Sequence, residues 1–365
     1  MRALAITLAV VVVVSLAATA AARTEKPYVS PGPTPVRQDL DCSGAIPITC
    51  NGFVEGSNVG EPSNVSYYSC VGWLESGGEV VYELEIPGPG EKILYVSLDT
   101  QGCDLDLFLL GSCDEDDCIT YGDVGLVAAP LLPGTYYLVV DGYEGGACPF
   151  TLTVTCGDLD EPCCPLLDDC VFFDFNDSDH DFWTVPCGGA PVWEWLPVPQ
   201  GERQSCDGQS ALNLLGTGLL TEDYPNYAGE MAVIGPVAIS ADCWCMEICH
   251  ICYIEFEWDG GNVKVSDDQG ATWDLVHPTR GYDWVTTPWT TCVASEPVFC
   301  EEPSPWLQDC FNLSAYVGSE ILIGFFFGSD DSYTYPGWFI RWVKIGSGEN
   351  PVEATSWGVI KALYR

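Results

Sequence analysis

The stretch Phe150–Cys156, FTLTVTC, alternates without a break: Phe150, Leu152 and Val154 are apolar, and Thr151, Thr153 and Thr155 carry hydroxyls. Successive side chains of a strand point to opposite faces, so this pattern makes one oily face and one wet one. The same period returns upstream in Tyr82, Leu84 and Ile86, in Leu105, Leu107 and Leu109, and in Tyr136, Leu138 and Val140. Gly and Pro punctuate the runs, as in PGPG and LPGT, and no helical period of any length competes. Period two with frequent turns predicts an antiparallel β-sandwich. Further along, EFEWDGGNVKVSDDQGATWDLV predicts a strand, a DGGN turn, a second strand bearing Val263 and Val265, and a DDQG turn that closes a hairpin. The chain is therefore expected to be all-β, with two antiparallel, jelly-roll-like sandwiches.

The segments around these runs differ in composition. Residues 1–22 read as a secretory signal peptide: Arg2 is followed by an apolar run too short for a comfortable span, then by small residues. Residues 23–37, with YVSPGPTPVR, form a Pro-rich spacer. The first sandwich is assigned to 38–157, a linker containing CCPLLDD to 158–169, and the second sandwich to 170–347. The tail, 348–365, has a different composition and is read as a sorting signal or a lightly docked terminus. No later stretch is long and apolar enough to span a membrane, so an exported protein, secreted or at the cell surface, is expected.

All 20 cysteines lie after the signal, eight in the first sandwich, two in the linker and ten in the second. Even counts in an exported chain argue for disulfides. The densest cluster is CWCMEICHIC, with Cys243, Cys245, Cys249 and Cys252 beside His250. Its spacing fits a zinc site, and CHIC resembles a redox motif. A redox cysteine pair works at a helix N-terminus, whereas this stretch runs into the alternating segment YIEFEW. Structural disulfides are the expected role.

The formal charge is -41, from 53 acidic and 12 basic residues. Such a surface repels phosphate backbones and excludes nucleic acid as a partner. There is no His-Glu-x-x-His, and only three histidines. No G-x-S-x-G elbow appears. Carboxylates are so abundant that any pair chosen for glycoside hydrolysis is uninformative. The chain is expected not to be an enzyme, with a secreted hydrolase as the rival class and a structural coat as a third.

Two resemblances rest on particular residues. DCSGAIPI, DLDLFLLGSCDEDDC and LLPGTYYLVVDGYEGGACPFTLTVTC resemble the bacterial pre-peptidase C-terminal domain, an accessory β-sandwich of secreted enzymes that is usually non-catalytic and in some members binds calcium. VFFDFNDSDHDFW, the DGG–VKVS–GATW run and the closing strand WFIRWVKIG resemble the MAM-like jelly roll found beside immune inhibitor A-type metalloproteases. Together they imply a bacterial, non-catalytic binding or adhesion protein whose partner is an extracellular protein or glycan.

Calcium is the expected cofactor, because hard cations take several carboxylate oxygens. The candidate ligands are Asp104, Asp106 and Asp141 in the first sandwich and Asp174, Asp177 and Asp179 in the second. In MAM-like domains an acidic residue on the opening strand and the first Asp of a closing I-D-D strand share a cation. Asp174 matches the former, but the latter position is Arg341. A charge on a face shared with Phe339, Val343 and Ile345 needs a partner. Arg341 is therefore expected to replace the metal and pair with Asp174, tying the terminal strands. Late aromatics, among them Trp289, Tyr333 and Tyr335, are either core or sugar-stacking surfaces, and the loop SDDSYTYPG is the expected exposed patch.

Overall fold

The computed structural model describes residues 39–100, 102–159, 166, 168–197, 203–206, 208, 210–218, 223–300 and 306–348. The segments expected to be a signal peptide and a Pro-rich spacer lie outside the described residues, as do residues 349–365 of the tail and most of the linker.

The first half folds into nine strands. They are β1 (Ile46–Thr49), β2 (Gly52–Ser57), β3 (Val80–Ile86), β4 (Lys92–Thr100), β5 (Leu105–Leu110), β6 (Cys118–Gly122), β7 (Gly125–Leu131), β8 (Gly134–Gly142) and β9 (Pro149–Asp158). One sheet has the order β1-β3-β8-β5-β6 and the other β2-β9-β4-β7. Pairing is antiparallel except for β1 on β3, which is parallel. The apolar positions of the period-two runs face each other across the sandwich. Leu84, Leu107, Leu109, Leu138, Leu152 and Val154 are fully buried in one core with Leu94 and Val96 of β4.

The outer faces are buried too, which the alternation alone does not announce. On the first sheet, Val81, Phe108, Leu110 and Val139 are covered by Leu40, Val65 and Tyr68 from the chain before β3. Tyr68 stacks on Phe108 at 3.8 Å. On the second sheet, Ile93 and Tyr95 point away from their own core and enter that of the second sandwich. The Tyr282 N–H donates to the Tyr95 hydroxyl at 2.7 Å, and the Tyr95 ring stacks on His277.

The second half contains β10 (Asp168–Asp174), β11 (Trp183–Pro186), β12 (Trp193–Pro197), β13 (Arg203–Gln204), β14 (Ser210–Ala211), β15 (Asn213–Thr217) and β16 (Gly229–Ala238). It continues with β17 (Cys245–Tyr253), β18 (Gly260–Ser266), β19 (Asp274–Leu275), β20 (Trp284–Val285), β21 (Pro297–Val298), β22 (Leu307–Asn312), β23 (Glu320–Gly328) and β24 (Gly337–Ser347). One sheet runs β12-β15-β24-β17-β22, with β10 also on β24; the other runs β11-β16-β23-β18-β19. Between them Met246, Ile248, Val263, Val265, Phe325 and Val343 pack with the ring cluster of Trp193, Phe299 and Trp338. The architecture is all-β, in antiparallel sandwiches cross-linked by disulfides. Among the described residues no helix is long and apolar enough to cross a membrane.

The expected hairpin forms, with Lys264 opposite Leu275. Its turn is fixed by Asp268, which accepts from Thr272 N–H and Oγ1 and from Ser266 Oγ. YIEFEW departs from expectation. The strand is CMEICHICY, Cys245–Tyr253, and it stops there. Glu257 has φ 74, and Asp259 N–H donates back to the Glu255 carbonyl, so 255–259 is a turn despite its alternating letters.

Candidate functional site

The expected calcium ligands are divided by the fold. Asp104 and Asp106 come together with Asp123 at the end of β6, each offering an oxygen within 4.8 Å of the others. Three carboxylates at that spacing have the chemistry of a calcium site. Asp123, in the β6–β7 turn, was not among the expected ligands; the path of the loop brings it to the other two. Asp141 lies opposite Asp106 in the ladder but outside that group. Its oxygens accept from the Tyr68 hydroxyl at 2.9 Å and from Gly142 N–H at 2.6 Å. Burial, and then the charge of Glu79, pushes its carboxyl well above the usual range. Asp177 and Asp179 are exposed on the turn after β10 and join no three-ligand group among the described residues. Asp179 instead accepts from Asp181 N–H, an ordinary turn contact.

Asp174 is taken by Arg341. Arg341 is 2% exposed, and its Nη1 donates to Asp174 Oδ1, which also accepts from Asn176 N–H. Strand pairing puts Asp174 opposite Trp342, and Phe175 N–H donates to the Arg341 carbonyl. The guanidinium therefore meets its carboxylate at the point where the opening and closing strands lie side by side.

The cysteine cluster divides. Cys249 is bonded to Cys206, and Cys245 is disulfide-bonded, whereas Cys243 and Cys252 carry thiols. Cys243 sits in the turn before β17, facing Cys170, and Cys252 sits at the far end of the strand.

Beside Cys252 lies an arrangement that alignment of letters hides. Trp338 Nε1–H donates to His250 Nδ1 at 3.0 Å, so His250 Nε2 carries its hydrogen and faces Asp309 Oδ2 at 2.7 Å. Arg280 bonds both Asp309, at 2.7 Å, and Asp283. Cys252 Sγ is 3.7 Å from Nδ1. A Cys-His-Asp series of this kind suggests nucleophilic chemistry. However, His250 is fully buried and Cys252 nearly so, and burial pushes the thiol well above its ordinary range. Both groups are sealed from solvent, and the network packs within the core.

Accessible chemistry gathers at one loop end of the second sandwich. Four loops meet there: 223–228, 254–259, 286–296 and 329–336. Tyr224 N–H donates to Tyr335 O, Tyr227 N–H to Asp330 O, Ser329 N–H to Ala228 O and Thr291 N–H to Ser329 O. Thr290 Oγ1 donates to Trp258 O at 2.5 Å. Under these loops Asp259 is fully buried, accepting from the Tyr224 hydroxyl at 2.8 Å and Asp330 N–H at 2.7 Å. Burial, outweighing those bonds and aided by Asp330 and Glu255, pushes its carboxyl up to about 8.

From this base project Tyr227 (54% exposed), Trp289 (54%) and Tyr333 (48%). Tyr227 and Tyr333 hold φ of 53 and 25, a conformation that bulky residues rarely adopt and that clusters at ligand-contacting loops. Asp331 lies beside Tyr227: desolvation and then the charge and hydrogen bond of Asp331 push that hydroxyl up. Asn226 Nδ2 donates to Asp331 O at 2.7 Å. Tyr333 falls in the expected loop. Tyr227 was not foreseen, although YPNYAG carries a turn signature on both sides of it. Trp338 is fully buried core.

No protein-family model matches the chain, and no curated protein matches it. Among solved structures it is similar to the pre-peptidase C-terminal domain of collagenase from Bacillus anthracis, at 20% identity over 30% of this chain and 94% of that one, with a TM-score of 0.23. It is similar to the K1 cleaved adhesin domain of Lys-gingipain from Porphyromonas gingivalis W83, at 10% identity over 49% and 98%, with a TM-score of 0.30. It is also similar to the CBM22-1–CBM22-2 tandem of Paenibacillus barcinonensis Xyn10C, at 9% identity over 83% and 99%, with a TM-score of 0.28. These likenesses are too distant to carry a function to this chain.

Proposed function

We propose that the protein is a secreted, non-catalytic binding protein that holds an extracellular glycan at the loop end of its second sandwich. The observation that carries this reading is the set of exposed rings, Tyr227, Trp289 and Tyr333, on loops laced together by backbone hydrogen bonds. A pyranose offers an apolar C–H face to such a ring and hydroxyls to a neighbouring carboxylate such as Asp331. Rings on an already ordered scaffold lose little entropy on binding. A glycan array probed with the full mature chain tests it. Retention of a defined set of oligosaccharides, lost in Tyr227→Ala and Tyr333→Ala, is expected. No retention overturns the glycan reading.

The first sandwich takes calcium in this reading, at Asp104, Asp106 and Asp123. Calcium titration by calorimetry is expected to give heat and a raised melting temperature, both lost in Asp123→Asn. Absence of heat in the unaltered chain removes the metal from the proposal.

A further inference from the structure

Among the described residues strand β10 pairs with β24 alone, and its register breaks at Cys170, between Asp169 and Val171. A bulge turns its extra residue out of the ladder and re-aims that side chain. Here the re-aimed residue is a cysteine. Its Sγ lies 3.3 Å from the Asp242 carbonyl, in the turn that Ser240 and Cys243 close with reciprocal backbone bonds. The side chain of Cys243, 5% exposed, is in hydrogen-bond contact with Cys170. The same turn is pinned to the closing strand, because Trp244 N–H donates to the Gly346 carbonyl and Asp169 pairs with Gly346. Two thiols thus meet at a fixed point on either side of the end of β24.

We propose that Cys170 and Cys243 form an oxidative clamp, a disulfide that closes in an oxidising compartment and fastens the opening strand to the β16–β17 turn. The reaction is a thiol–disulfide exchange with a low-molecular-weight disulfide. Cys170 is exposed and attacks one sulfur of the oxidant, releasing one reduced thiol and leaving a mixed disulfide on Cys170. Cys243 gives its proton to water and displaces the second thiol. The Cys170–Cys243 bond forms, the two protein thiols lose two electrons and two protons, and the oxidant becomes two thiols. Burial, and then Cys170, pushes the Cys243 thiol up to about 12. The resolving step therefore quickens as pH rises, and closure is gated by the buried partner.

The clamp depends on the oxidising compartment of the preceding reading and not on any glycan. The test takes the mature chain, equilibrates it with glutathione disulfide, alkylates it in denaturant without reductant and maps its peptides. The Cys206–Cys249 bond serves as the internal sign that the sample is oxidised. A peptide joining Cys170 to Cys243, with neither residue alkylated, is expected. Alkylation of both, or a bond from either to another cysteine, overturns the clamp. Cys170→Ser and Cys243→Ser provide a second measurement: each is expected to lower the melting temperature by about 5–10 °C, and the double variant by no more than either alone. Additive losses contradict a shared bond, whatever the glycan array returns.

Discussion

At the scale of single residues, what this molecule does with charge is decided by burial. Asp259 is sealed under the loop end, and burial disfavours its charged form. Its ordinary value is 3.8 and its folded value about 8, so between these the folded chain holds a proton that the unfolded chain releases. The stability this contributes is complete below about pH 4 and is lost as pH rises through about 8. Melting temperature is therefore expected to fall between about pH 4 and pH 8, and Asp259→Asn to flatten that fall. An unchanged pH profile in the variant would show that Asp259 is not the group responsible. Asp268 is the opposite case: bonds from Thr272 and Ser266 hold its carboxyl down at about 2, and it is accessible to water.

At the scale of elements, strands were legible wherever one face alone met the core. Phe150, Leu152 and Val154 could be placed on a buried face because threonines marked the other. CWCMEICHIC could not be read in this way. Its strand is buried on both faces and so shows no alternation, whereas YIEFEW alternates and is a turn. Local letters report the period of exposure, and a central strand has none. Long-range groupings were illegible for another reason: Asp123 joins Asp104 and Asp106, and Tyr227 joins Asp331, only through the path of the loops. That Arg341 needs a partner was readable from its otherwise apolar face, and the resemblance to MAM-like domains pointed to Asp174. The pair's role as a tie between β10 and β24 has a direct test. Arg341→Ala and Asp174→Ala are each expected to cost roughly 3 kcal/mol, since removing one member strands the other. The double variant should cost at least about 1 kcal/mol less than their sum in urea denaturation. Strict additivity would mean the two residues act separately.

At the scale of the whole molecule, the two sandwiches share a core. Tyr95 and Ile93 leave the first and are buried in the second, where His277 and Tyr282 receive them. Burying two such side chains is worth about 3–6 kcal/mol, enough to couple the unfolding of both halves. Calorimetry is expected to show one transition for the unaltered chain and two for Tyr95→Ala; two transitions in the unaltered chain would contradict the coupling. Cross-packing of this kind gives the loop end an ordered base, which a stacking surface needs. The most direct test is a calorimetric titration with an oligosaccharide retained on the array, comparing the full chain with Tyr333→Ala. A stacked ring contributes about 1–1.5 kcal/mol, so the variant should bind roughly tenfold more weakly at unchanged melting temperature. Equal affinity in the two proteins would mean that the loop end is not where the glycan sits.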